Sequence, residues 1–219
     1  MRISTSSSPR LSTLYSQQSP IDLKEAVYAP QLQDQVDIGW SDSDSLPITP
    51  KHGHGADLPG EQQALTLNGK PFEPKGFHFH AHSEHLVNGS PYPMELHIVH
   101  QNDDDGTRAV VGVFIDDMGT SGSKSDNSVR TLIDSLEGQK AATVSPSDLL
   151  PESTEQFYRY EGSLTTPPYD ENVSWLVMRE PIHVAPETLA RLKDEQGHEA
   201  RPAQDINRRF VLANFTERS

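Results

Sequence analysis

Apolar and polar residues alternate with a period of two over Phe77 to Ala81 and again over Glu95 to His100. Successive strand side chains point to opposite faces, so each stretch reads as a strand with two unlike faces. In the second stretch His97 and Val99 share one face, and Leu96 and Ile98 the other. Ala109 to Ile115 is apolar throughout and predicts a strand covered on both sides. Val173 to Met178 and Ile182 to Val184 add further strands. Two Asn-Gly pairs carry tight-turn chemistry. Asn68-Gly69 lies between Leu65-Thr66-Leu67 and Phe72, and Asn88-Gly89 lies between the two alternating runs. The latter supports antiparallel pairing of those runs.

Helical patterns are few. Ser128 to Leu136 predicts one short helix. Pro186 to Glu195 predicts another, with Pro in its first turn, Leu189 and Leu192 on one face and Gly197 as a stop. Residues 41 to 62, rich in Ser, Asp, Pro, Gly and His, read as loop with little regular structure. Residues 1 to 17 read as a flexible lead, and residues 18 to 219 as one domain. The predicted class is a β-dominated α+β fold, one large sheet with small peripheral helices.

Composition sharpens this picture mainly by exclusion. Hydrophobic content is 33% and mean hydropathy is -0.64, low enough to imply long polar loops. A net charge of -14 repels phosphate backbones, which disfavours nucleic acid as a partner. Asp103-Asp104-Asp105 and Asp116-Asp117 read as solvated loop and turn positions, because their spacing builds no calcium loop. The absence of cysteine rules out disulfides and thiolate metal sites. The longest apolar run, near Ala109 to Ile115, is too short to span a bilayer. Met1 to Ser19 has no apolar core of the kind a secretory leader needs.

Ten histidines remain to be explained. In His78-Phe79-His80 the two imidazoles project from one strand face. A third on the neighbouring strand completes a facial triad, and three neutral imidazoles leave zinc's fourth tetrahedral position open, as in catalytic sites. Spacing alone does not choose between His97 and His82, which shares the face of His78 and His80. His78-x-His80-x3-Glu84 also fits the first motif of the jelly-roll cupins, in which Glu84 would be a ligand and the metal could be iron or manganese.

Glu161-Gly162-Ser163-Leu164-Thr165-Thr166-Pro167-Pro168 is the second informative stretch. Together with Gln18-Ser19-Pro20-Ile21, Phe77-His78-Phe79-His80, Ser83-Glu84-His85, Glu95-Leu96-His97-Ile98-Val99-His100 and Arg201-Pro202-Ala203-Gln204, all in order, it resembles the α-class carbonic anhydrases, bacterial members in particular. The resemblance runs from about residue 18 to 215. It implies a twisted, mostly antiparallel sheet of about ten strands. It implies zinc on His78, His80 and His97, and hydration of carbon dioxide to bicarbonate by hydroxide generated on that zinc.

By the same resemblance Thr165 is the gatekeeper, Glu84 orients it, and Thr166 contacts substrate or nearby water. Val99, Val110, Leu164, Val173 and Trp175 form the apolar carbon dioxide wall. Glu95 supports the His97 ring, and His54 is the proton shuttle, with His52 two residues away as the alternative. His82 becomes a rim residue, and His85 and His100 become structural. Gly76 stands where the family carries a Gln that holds the first zinc histidine. The family also has a longer front, so either the chain starts late or the front of the domain is open; the resemblance further implies a periplasmic or secreted protein and allows a homodimer. A non-catalytic relative serving as a binding module would have lost zinc histidines; here all three are present with Thr165 and Glu84.

Overall fold

The computed structural model describes residues 16–40, 45–51, 55–58, 64–195 and 200–216. Its strands are β1 (Asp22–Leu23), β2 (Val27–Tyr28), β3 (Val36–Ile38), β4 (Leu46–Lys51), β5 (Gly55–Asp57), β6 (Leu65–Leu67), β7 (Lys70–Ala81) and β8 (Leu86–Val87). They continue with β9 (Ser90–Pro91), β10 (Met94–Gln101), β11 (Arg108–Asp116), β12 (Ala142–Val144), β13 (Phe157–Gly162), β14 (Val173–Met178), β15 (Ile182–His183) and β16 (Leu212–Ala213). The α-helices are α1 (Lys124–Gly138) and α2 (Pro186–Glu195), and two short 3-10 helices cover Pro30–Gln35 and Pro146–Leu149.

Thirteen strands form one sheet, whose main path runs β12-β4-β5-β7-β10-β11-β14-β13-β16-β2. Most neighbours are antiparallel; β11 with β14, β11 with β15 and β16 with β2 are parallel. The long histidine strand β7 and its neighbours β10 and β11 lie mid-sheet, where pairing on both edges leaves little freedom. A larger apolar cluster covers one face. It joins Phe77, Phe79, Leu96 and Ile98 to the inward side of α1, Val129, Leu132, Ile133 and Leu136. A smaller cluster lies apart from it and contains Val110, Tyr160, Val173 and Trp175.

Turn chemistry settles the hairpins. Asn68 and Gly69 both have positive φ and close β6 onto β7, with Leu67 opposite Lys70, as the Asn-Gly pair predicts. Asn88 and Gly89 also have positive φ, but they close the small β8–β9 hairpin, with Val87 opposite Ser90. That hairpin sits inside the β7–β10 connection and pairs with β1. The antiparallel pairing of β7 and β10 is as expected; the turn serves a different pair.

Two expectations are corrected. Residues 41 to 62 contain β4 and β5, because Leu46 and Ile48 alternate with Pro47 and Thr49 and bury against the large cluster. Proline and glycine masked that short period-two signal. Helix α1 begins before Ser128, because the Ser123 hydroxyl caps it by accepting from the Asp126 N–H at 3.2 Å.

Candidate metal centre

Strands β7 and β10 pair with His97 directly opposite His78 and Glu95 opposite His80. The two-residue spacing aligns His78 with His80, and the register brings His97 to the same side. Ring centroids lie 4.9 Å apart for His78 and His80, 5.2 Å for His78 and His97, and 4.5 Å for His80 and His97. One ring nitrogen from each lies within 4.8 Å of the others. His80 and His97 are buried, and His78 is partly exposed. This donor set fits zinc: three imidazoles, with the fourth tetrahedral position left to a non-protein ligand.

The choice that spacing left open is made by the backbone. β7 ends at Ala81, and His82 has a φ of 58°, so the chain turns away and the His82 side chain is exposed. His100 follows a bulge after Val99, is buried, and lies 5.6 Å from Trp40, which packs on the large cluster. Glu84, the ligand a cupin would need, gives Oε1 to the Arg201 N–H and has Oε2 3.4 Å from His80 Nε2, while the close group of donor atoms is that of His78, His80 and His97. A continuous sheet of this size is also not a jelly roll.

Glu95 is fully buried and makes the tightest set of contacts. One oxygen accepts the backbone N–H groups of Glu84 and His85, each at 2.9 Å. The other lies 2.7 Å from His85 Nδ1 and 3.1 Å from His97 Nε2. With Nε2 turned to Glu95, His97 has Nδ1 for a metal. Burial opposes the Glu95 charge, but the adjacent His85 and His97 outweigh it and hold the carboxyl well below its usual range. Burial also lowers the proton affinity of His97, yet Glu95 reverses the sign and the net shift is upward. A more basic imidazole is a stronger metal ligand. His85, Glu95 and His97 form a second close cluster, but their atoms already satisfy one another. His85 Nε2 continues to the Tyr160 hydroxyl at 2.6 Å, and Tyr160 donates to Ser19 Oγ at 2.9 Å.

Thr165 is buried in the loop after β13. Burial raises the Glu84 pKa; His97, the Thr165 side chain and the Arg201 N–H each act to lower it, and the net shift is upward. The loop is closed by Leu164 N–H to Asp170 O at 3.0 Å and Tyr169 N–H to Thr166 O at 2.9 Å. It is tied to β14 by Trp175 Nε1–H to Ser163 O at 3.0 Å. The five apolar residues expected around the substrate converge: Val110, Val173 and Trp175 lie in the smaller cluster, and Val99 and Leu164 pack against it. Trp175 and His97 ring centroids are 4.8 Å apart. Thr166, next to Thr165 in this loop, is exposed.

His54 and His52 lie outside the described residues. Asp57 pairs in register with Gly76, and its half-exposed carboxylate forms an ion pair with Lys51. At Gly76 a Cβ would lie 2.8 Å from Ala56 O, so the close approach of β5 excludes a larger residue there without movement. Sequence reasoning missed two other glycines. A Cβ at Gly112 would meet Glu95 Oε1 at 2.9 Å, and one at Gly162 would meet Ser19 Oγ at 2.2 Å. An isolated Gly inside an otherwise branched strand such as β11 is the available signal for close approach.

The chain matches the model of the eukaryotic-type carbonic anhydrase family over residues 9–215. A carbonic anhydrase of Nostoc sp. is 33% identical, covering 89% of this chain and 75% of that protein. Human carbonic anhydrase 7 is 35% identical, covering 90% and 88% respectively. The solved structure of the Thermovibrio ammonificans α-carbonic anhydrase with the inhibitor sulfanilamide superposes with a TM-score of 0.77 at 33% identity, covering 91% of this chain and 88% of that one.

Proposed function

This chain belongs to the eukaryotic-type, α-class carbonic anhydrases, and from that membership we propose that it interconverts carbon dioxide and bicarbonate with a zinc ion held by His78, His80 and His97. The observation that carries this reading is the register pairing His97 with His78, which gathers three ring nitrogens beside Glu84 and Thr165. Zinc, when bound, lowers the pKa of a water to about 7 and so supplies a nucleophile at neutral pH, a value for which carbonic anhydrase is the reference case.

The protein's own groups do the rest. Thr165 accepts a hydrogen bond from the nucleophile and donates its own proton toward Glu84, which fixes the direction of attack and disfavours ligands with no proton to give. Carbon dioxide is uncharged and offers no donor, so an apolar wall of Val99, Val110, Leu164, Val173 and Trp175 suits it; Thr166 contacts substrate at the rim. Glu95 fixes the tautomer of His97. His54 carries the released proton to buffer, since an unperturbed imidazole titrates near neutrality.

Zinc analysis with stopped-flow carbon dioxide hydration tests the proposal. About one zinc per chain and activity blocked by an aromatic sulfonamide such as sulfanilamide are expected; metal-free or inactive protein refutes it. His54→Ala should slow turnover in weak buffer, with recovery on adding small imidazoles, and loss of that buffer dependence would remove the shuttle. A periplasmic or secreted location and pairing into a homodimer complete the reading. Cell fractionation and sedimentation, respectively, would contradict them by finding cytoplasmic protein or monomer.

A further inference from the structure

Glu84 is held at Oε1 by a backbone N–H, that of Arg201, at 2.9 Å. That donor lies in a segment with no strand of its own, joined to the sheet region by the isolated Ile21–Gln204 bridge and Gln204 N–H to Pro20 O at 2.8 Å. A backbone group in irregular chain is only as well placed as its anchors.

The Arg201 side chain supplies those anchors. Its Nη1 donates to Ser19 O at 2.5 Å and its Nη2 to Gln18 Oε1 at 2.8 Å. Its guanidinium carbon lies 3.9 Å over the Tyr169 ring. Each contact leads back to the site. Gln18 Nε2 donates to Tyr169 O at 3.1 Å. Tyr169 closes the loop that carries Thr165 and Thr166. Ser19 and Ser163 exchange two hydrogen bonds, backbone N–H to hydroxyl in each direction, at 2.9 and 3.0 Å. One arginine therefore grips the segment beside the Thr165 loop, stacks on the end of that loop, and presents its own N–H to Glu84. A planar fork that both donates twice and stacks is available to Arg and not to Lys.

We propose that the Arg201 side chain is a positioning residue that sets the geometry of the Thr165–Glu84 pair; the inference rests on the functional reading above. Arg201→Ala and the milder Arg201→Lys test it in the zinc-loaded protein. Both should retain zinc and lose hydration kcat/KM on the order of 10-fold or more, since small misplacements of positioned groups are costly. Both should also narrow the ratio between the affinities for sulfanilamide, which can give a proton to Thr165, and azide, which cannot. In the metal-free protein, amide exchange at Thr165, Thr166 and Tyr169 should quicken while β7, β10 and β11 stay protected. If either variant keeps zinc together with the parent's kcat/KM and inhibitor ratio, Arg201 only staples the chain and the proposal fails. Inactivity of the parent would instead refute the functional reading, leaving amide exchange to report on the clamp.

Discussion

Glu95 has two carboxylate oxygens and four polar neighbours, all inside the protein. A carboxylate buried this completely is tolerable only because every neighbour favours its charge. It orders the Glu84–His85 backbone with one oxygen and aligns two imidazoles with the other. Glu95→Gln keeps the shape but gives an amide, which has a single acceptor oxygen and donors facing N–H groups. Zinc affinity should fall roughly 10- to 100-fold, the usual consequence of losing such a partner. Competition against a chelator reads this directly, and unchanged affinity would show that Glu95 does not tune His97.

Strands β7, β10 and β11 form the element that converts residues into a site. β7 and β10 bring the histidines together, and β11 decides how much room stands behind them. Gly112 pairs with His97 across β10–β11, and the space its missing side chain leaves is occupied by the Glu95 carboxylate, with Val177 beyond. Gly112→Ala should cost about 1–3 kcal/mol by overpacking and should loosen zinc as Glu95 is displaced. Denaturant unfolding of the metal-free protein and zinc retention of the loaded one separate the two effects. If stability falls and zinc binding does not, the carboxylate has another place to go. β4 and β5 show a different side of the same element logic: their alternation is only a few residues long and broken by proline, so composition hid it.

On the scale of the whole molecule, the large cluster under α1 holds most of the buried apolar side chains, and a pH liability sits beside it. His100, next to Trp40, is buried and its pKa falls from 6.5 to about 4 because burial penalises its charged form. Below pH 6.5 the unfolded chain takes up a proton that the folded chain refuses. The contribution is therefore intact above pH 6.5 and is lost as pH falls toward 4, by about 3 kcal/mol at 1.36 kcal/mol per unit. The metal-free protein and its His100→Gln variant should diverge in this window. The parent loses more stability than the variant between pH 7 and 4 by about that amount, and parallel curves would show that folded His100 takes up its proton as readily as the unfolded chain does.

Periodicity and turn chemistry made the main strands, both helices and the Asn68-Gly69 hairpin legible, because these depend on neighbours two to four residues away. The pairing of His78 with His80 was legible on the same ground, and ordered motifs pointed to the family, Thr165, Glu84 and the apolar wall. Local pattern could not say that His82 turns out of the face, that the Asn88-Gly89 turn serves a small hairpin, or that Gly112 makes room for Glu95. Nor could it show the grip of Arg201 on Gln18, Ser19 and Tyr169, partners more than thirty to about 180 positions away. Those outcomes depend on strand register, on where a strand ends and on which atoms compete for one volume, and such quantities exist only once distant segments have packed.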